Sequence, residues 1–195
     1  MKLGRRAYPF NDPSWLCELK WDGFRVLAYV DQGRSELRFR NGMPFKSWTG
    51  LTVALGRLKV ESAVLDGEVV CLDREGRPDF DALFHCQCDP YFYAFDLLWL
   101  NGSDLRELPL VRRKQTLATV LTGAPDEVRY VHHVEGSACE LFFQLCCEHD
   151  LEGVVCKRVD STYLEGDHES AWLKIPNRNY LQAANRPVLL YEDEP

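Results

Sequence analysis

A lysine that is to bond covalently to phosphorus has to be held in place, freed of its proton, and surrounded by charge that steadies the phosphate it attacks. Lys20 has the sequence setting for that work. It ends the strand-like run Trp15 to Lys20, precedes the bend Asp22-Gly23, and has Glu18 and Arg25 as charged neighbours of opposite sign. Nearby cations and desolvation are what lower the proton affinity of a lysine amine. Asp-Gly between apolar runs is also a hairpin signal, which would leave Lys20 solvated before a turn. Further groups that could do chemistry follow along the chain: Arg40-Asn41-Gly42, Asp66-Gly67-Glu68, Tyr93-Ala94-Phe95-Asp96, Glu152-Gly153-Val154-Val155-Cys156-Lys157 and Trp172-Leu173-Lys174. Each alone has a plain structural reading as a turn, a core aromatic or a buried strand.

The elements that must position these groups can be read from periodicity. Trp15 to Lys20, Phe24 to Val30 and Glu36 to Arg40 are extended segments of a β-meander, with Asp22-Gly23 and Asn41-Gly42 at the bends. Trp48, Leu51, Leu55 and Leu58 predict a helix over 47–58 with Ser47 as N-cap. Strands follow at 63–72 and 91–98, helices at 111–121 behind Pro109 and at about 137–149, then strands at 153–157 and 171–175. The expected architecture is α+β, with antiparallel sheets carrying helices on their outer faces. The domain is expected over 1–190, with a frayed tail at 191–195.

A chain of 195 residues, 46% of them hydrophobic, can bury a full core; Met1 to Phe10 shows no apolar stretch of signal-peptide length, and no run reaches membrane length. A cytoplasmic monomer with no membrane contact is expected. Eight cysteines in such a chain are expected as reduced thiols, with Cys17, Cys71 and Cys156 in the core. His85-Cys86-Gln87-Cys88 and Cys146-Cys147-Glu148-His149 offer soft ligands, but their spacings suit no common zinc module and are expected to be structural or incidental. The net charge of −7 argues against a generic nucleic-acid coat. Basic clusters at Arg34, Arg38, Arg40 and Lys46, at Arg112-Arg113-Lys114, and at Lys157-Arg158 are expected as solvated faces that permit DNA binding.

Taken in order, the motifs resemble those of the nucleotidyltransferase superfamily. The chain is similar to the adenylation domain of ATP-dependent DNA ligases, nearest the ligase module of bacterial end-joining enzymes; the motifs run from Glu18 to Lys174. The resemblance implies an ATP-grasp-like nucleotidyltransferase fold and makes Lys20 the nucleophile that accepts AMP. It implies Glu18 and Arg25 beside the nucleotide, Arg40 on ribose or phosphate, and Phe95 stacked on adenine. It places Glu68 and Glu152 on metal or sugar, and Lys157 and Lys174 on the α-phosphate. ATP and Mg²⁺ or Mn²⁺ are the implied cofactors, and nicked double-stranded DNA in repair or recombination is the implied partner. Two other readings use the same residues: an RNA ligase or capping-type nucleotidyltransferase, and a nucleotide- or DNA-binding remnant without catalysis.

Two departures from the pattern stand out. Lys174-Ile175-Pro176 replaces the usual K-x-K, so one cation is absent unless Arg178 takes its place. The 19 residues from Asn177 to Pro195 are too few for an OB-fold of five strands, which leaves three expectations: a minimal stand-alone adenylation domain, a piece of a longer ligase, or one part of a split ligase with a separate OB-fold or DNA-binding end-joining partner.

Overall fold

A computed structural model describes residues 3–164 and 171–182. The expected tail at 191–195 lies outside the described residues. The strands are β1 (Gly4–Arg5), β2 (Trp15–Leu19), β3 (Phe24–Asp31), β4 (Arg34–Phe39), β5 (Pro44–Phe45), β6 (Ser62–Val70), β7 (Tyr91–Leu100), β8 (Ser103–Asp104), β9 (Val128–Tyr130), β10 (His133–Glu135), β11 (Gly153–Arg158) and β12 (Trp172–Pro176). The helices are α1 (Thr49–Gly56), α2 (Phe80–Phe84), α3 (Leu110–Val120) and α4 (Cys139–Glu148).

These strands form two sheets. One has five strands in the order β1-β12-β11-β2-β10; the other has seven, β5-β4-β3-β6-β7-β8, with β9 joined to β7. Most pairs are antiparallel, as expected, but β1 with β12 and β7 with β9 run parallel. The meander holds for β3, β4 and β5. It does not include β2, because the bend at Asp22-Gly23 carries the chain from the five-stranded sheet to the seven-stranded one instead of closing a hairpin.

Alternation along the strands divides the molecule. On β3, Val26, Ala28 and Val30 enter a core shared with Leu51, Ala54 and Leu55 of α1, while Leu27 faces the other way. Leu27, Val64 and Phe95 of the large sheet pack with Leu16 and Trp172 of the small one, so the two sheets face each other across an inner layer. On the far side of the small sheet, Cys17, Val154, Cys156 and Ile175 pack beneath Cys139 and Cys146 of α4. Helices α1 and α4 therefore lie on outer faces. Helix α3 does not: Leu110 joins the inner layer and Leu117 the outer core.

The expected N-cap at Ser47 is corrected. Trp48 caps α1 with φ 57° and no side-chain cap bond, its ring packed 5.3 Å from that of Phe45. Expected boundaries elsewhere fall within a few residues of those observed, and the short β1, β5, β8, β9, β10 and α2 carry too few residues for a periodic signal. Among the described residues no helix is long and apolar enough to cross a membrane.

Candidate active site

Lys20 follows β2 directly, and its backbone N–H donates to Gly153 O at 2.9 Å. That bond brings Lys20 beside Glu152, and Lys20 Nζ lies 2.6 Å from Glu152 Oε1 with the lysine side chain 22% exposed. Gly153 is required for this approach. It has φ 132°, and a Cβ there would meet Ile175 O at 2.3 Å on the neighbouring β12. Asp66-Gly67-Glu68 likewise lies inside β6 and is not a hairpin; the register slips between Asp66 and Gly67, and a Cβ on Gly67 would strike the Phe92 ring at 2.4 Å.

The register sets the remaining groups abreast. Val155 pairs with Glu18 on one side and with Lys174 on the other, so Glu18, Val155 and Lys174 share the face turned toward the large sheet. Glu18 is buried and held by two lysines, Lys114 Nζ at 2.5 Å from Oε1 and Lys157 Nζ at 2.5 Å from Oε2. Burial alone would raise its pKa; the two cations overcome that and hold the carboxyl below its usual range. Burial pulls the Lys157 amine down to about 8 despite Glu18, with Lys114 reinforcing the fall. Lys157 Nζ lies 4.2 Å from the Phe95 ring centre and 3.9 Å from that of Trp172.

On the facing sheet, Arg25 forks onto Asp66, with Nε donating to Oδ1 at 3.1 Å and Nη2 to Oδ2 at 2.7 Å. Tyr163 donates its hydroxyl to the same carboxylate at 2.8 Å. The Arg25 guanidinium is 5.3 Å from the Phe95 ring. Burial pushes the Glu68 carboxyl up to about 8; Lys20 and Arg25 oppose the shift, while Glu152 and Asp66 add to it.

Contacts and electrostatics thus join Glu18, Lys20, Arg25, Glu68, Phe95, Glu152 and Lys157. Lys174 enters by register. Arg40 lies in the exposed turn after β4. Pro176 pairs with Gly153 as the last residue of β12, and the exposed Arg178 guanidinium lies 5.3 Å from the Tyr8 ring. The reading of 112–114 as a solvated basic face is corrected: Arg113 and Lys114 are buried. Arg113 forks onto Asp96 with two 2.8 Å bonds, and Lys114 holds Glu18. The signal was present, because 110, 113, 114 and 117 have the i, i+3, i+4, i+7 spacing of one helix face. Lys157 is corrected in the same way, whereas Arg158 is exposed and pairs with Asp160.

Cys17, Cys71 and Cys156 lie in the core as expected, but two of them are paired where reduced thiols were expected. Cys17 is joined to Cys139, and Cys71 to Cys88, because the fold brings β2 against α4 and the end of β6 against the segment before β7. Cys86 is exposed and Cys146 is buried.

The family described as the ATP dependent DNA ligase domain matches residues 7–175. The multifunctional non-homologous end joining protein LigD of Pseudomonas aeruginosa is 35% identical over 171 residues, which cover 83% of this chain and 20% of that protein. LigD of Mycolicibacterium smegmatis is 34% identical over 172 residues, covering 85% and 22%. The crystal structure of the ligase domain of M. tuberculosis LigD superposes with a TM-score of 0.77 at 30% identity, over 88% of this chain and 57% of that one. A mycobacterial DNA ligase D complexed with ATP and MES gives 0.72 at 28% identity, over 89% and 60%. The chain spans about a fifth of the length of those LigD proteins. With the family model matched over residues 7–175 and the two-sheet fold shared with the M. tuberculosis LigD ligase domain, the chain belongs to the ATP dependent DNA ligase domain family.

Proposed function

We propose that residues 1–190 form the adenylation domain of an ATP-dependent DNA ligase, in which Lys20 takes AMP from ATP and passes it to the 5′-phosphate of nicked double-stranded DNA. The contact that carries this reading is Lys20 Nζ to Glu152 Oε1 at 2.6 Å, which joins the first motif to the fifth at one reacting atom. Glu152 orients the amine and is the nearest acceptor for the proton it must lose. Lys20 Nζ then bonds to the α-phosphorus as the bond to pyrophosphate breaks. Lys157 and Lys174 line the same face and neutralise phosphate charge, and Arg40 reaches ribose or phosphate from the rim.

Phe95 offers its face to adenine, a stacking contact worth about 1–3 kcal/mol. That ring has Lys157 and Arg25 beside it, so both cations stand next to the base and its phosphates. Glu68 and Glu152 are the residues that would hold a hard divalent cation, Mg²⁺ or Mn²⁺: two carboxylates flank Lys20, and the charge of such an ion would offset the burial that pushes Glu68 toward its neutral form. Such an ion, when bound, supplies positive charge against the phosphate oxygens. The protein works as a cytoplasmic monomer in strand sealing for repair or recombination, with an OB-fold or end-joining unit gripping the DNA.

Incubation with α-labelled ATP, followed by a denaturing gel and peptide mapping, tests this reading. A labelled adduct on Lys20 that is absent from Lys20→Ala is expected. Nicked DNA, nicked RNA and GTP offered in parallel separate DNA ligation from RNA ligation and capping. An adduct that survives Lys20→Ala, or that maps to Lys157 or Lys174, overturns the assignment.

A further inference from the structure

The face of β2 and β11 turned away from Glu18 and Lys157 carries sulfur. Cys17 and Cys156 are cross-strand partners, and Cys139 opens α4, which packs on both strands. Cys17 and Cys156 are 0% exposed and Cys139 is 1% exposed. Cys156 Sγ lies 2.8 Å from Cys17 Sγ and 3.1 Å from Cys139 Sγ, and a disulfide joins the other two. Three sulfurs cannot all pair. Oxidation leaves one thiol against a disulfide, and reduction leaves three thiols in one pocket. Among the described residues this is the one group of three His, Cys, Asp or Glu side chains whose ligand atoms lie within 4.8 Å of one another.

The surroundings decide what such a triangle takes. Val154, Ile175 and Phe142 pack around it, and no histidine or carboxylate joins the group. A structural zinc ion requires a fourth ligand. A univalent or divalent cation held by three thiolates would also leave net negative charge in an apolar pocket, which burial opposes. Burial already pushes the Cys156 thiol up to about 12. A trivalent centre bonded to three thiolates carries no net charge, and its pyramidal geometry closes on a compact triangle of sulfurs.

We propose that Cys17, Cys139 and Cys156, when reduced, form a site for one trivalent three-coordinate thiophile, represented by arsenic(III). Arsenous acid reacts by exchange: three As–O bonds break, three As–S bonds form, and each thiol proton leaves with a hydroxide as water. No atom changes oxidation state. Cys17 precedes Glu18 and Cys156 precedes Lys157, so the bridged centre ties together the two strands that carry this ion pair on their opposite face.

The test uses the full chain, reduced with a phosphine and freed of it before arsenite is added. Intact-mass measurement should show one arsenic gained with three hydrogens lost. Alkylation mapping in denaturant should show Cys17, Cys139 and Cys156 protected only when arsenite was added, while Cys86 and Cys147 react in both cases. Chain kept oxidised, with Cys17 and Cys139 paired, should take up no arsenic. Cys156→Ser should lose the three-sulfur adduct; should that variant fail to fold, the protection map of the unmodified chain decides alone. No uptake by the reduced chain, uptake by the oxidised chain, protection of a different set of cysteines, or a three-sulfur adduct in Cys156→Ser each overturns the proposal.

Discussion

The two faces of β2 and β11 are built from alternate residues of the same short segments, yet they hold opposite chemistry. Leu16, Glu18, Val155 and Lys157 face the large sheet; Cys17, Leu19, Val154 and Cys156 face α4. On the thiol face burial is apolar and needs no compensation. On the cleft face buried carboxylates are paired with cations: Lys114 and Lys157 for Glu18, Arg25 for Asp66, Arg113 for Asp96. Buried charge is costly unless paired and hydrogen-bonded. The charged face is therefore held by ion pairs, and the thiol face by packing.

The largest expected effect comes from unpairing a charge that serves the frame and not the nucleotide. Arg113 and Asp96 are both 0% exposed, and the guanidinium also donates to Ser161 O at 3.0 Å. Arg113→Leu should cost about 3–5 kcal/mol by stranding Asp96. Urea unfolding measures it, and a loss below about 1 kcal/mol would mean that water reaches Asp96 and that the frame and the cleft are not distinct. Glu18→Gln keeps the shape but removes the charge between two lysines. It should cost about 2–3 kcal/mol. It should also move the Lys157 titration below the present value near 8, since Glu18 is what raises it. Nitrogen-detected NMR of the Lys157 amine reads that shift directly; an unchanged midpoint would detach Lys157 from Glu18.

How much of this was legible in the sequence depends on the kind of residue. Lys20, Glu68, Glu152 and Lys157 stand in short motifs whose wording carries their chemistry, and the strands bearing them are long enough for alternation to show. The bend at Asp22-Gly23 was misread as closing a meander because the dipeptide signals a local turn, whereas here it carries the chain between sheets; Asp66-Gly67 lies within the strand expected at 63–72, as a bulge against Phe92. Lys114 was missed because a run of three basic residues reads as solvated unless the helix face is worked out. The thiol triangle was out of reach altogether: Cys17, Cys139 and Cys156 are brought together by tertiary packing, and no local spacing encodes them.

Titration sharpens the comparison from another side. The Glu68 carboxyl is raised from 4.5 to about 8 in the folded chain, so the fold favours its protonated form. Its contribution to stability is fully present below about pH 4.5 and is lost as pH rises through 8. Lys157 is lowered from 10.5 to about 8, so its contribution is present above about 10.5 and is lost as pH falls through 8. Relative to Glu68→Gln, the unmodified chain should match at pH 4 and be weaker at pH 9 by on the order of 2 kcal/mol, less than the full shift implies because solvent reaches the side chain. Thermal unfolding across that range checks it. A flat difference curve would show Glu68 ionised and solvated at neutral pH, outside the buried charge system.

The smallest effect on stability is expected at Arg40, and it separates a residue that builds the site from one that only serves it. The turn after β4 is made by its neighbours: Asn41 Oδ1 accepts from Met43 N–H at 3.0 Å, Gly42 has φ 82°, and Gly42 N–H donates to Phe39 O at 2.8 Å. Arg40 is exposed beside them. Arg40→Ala should change stability by less than about 0.5 kcal/mol. If Arg40 reaches ribose or phosphate from the rim, the same variant should raise the ATP concentration needed for half-maximal adduct formation, with Lys20 still labelled at saturation. Glu18→Gln, by contrast, should lower both stability and the rate at saturation. An Arg40→Ala variant that unfolds, or that forms adduct at an unchanged ATP requirement, would break the division between frame and rim at this turn.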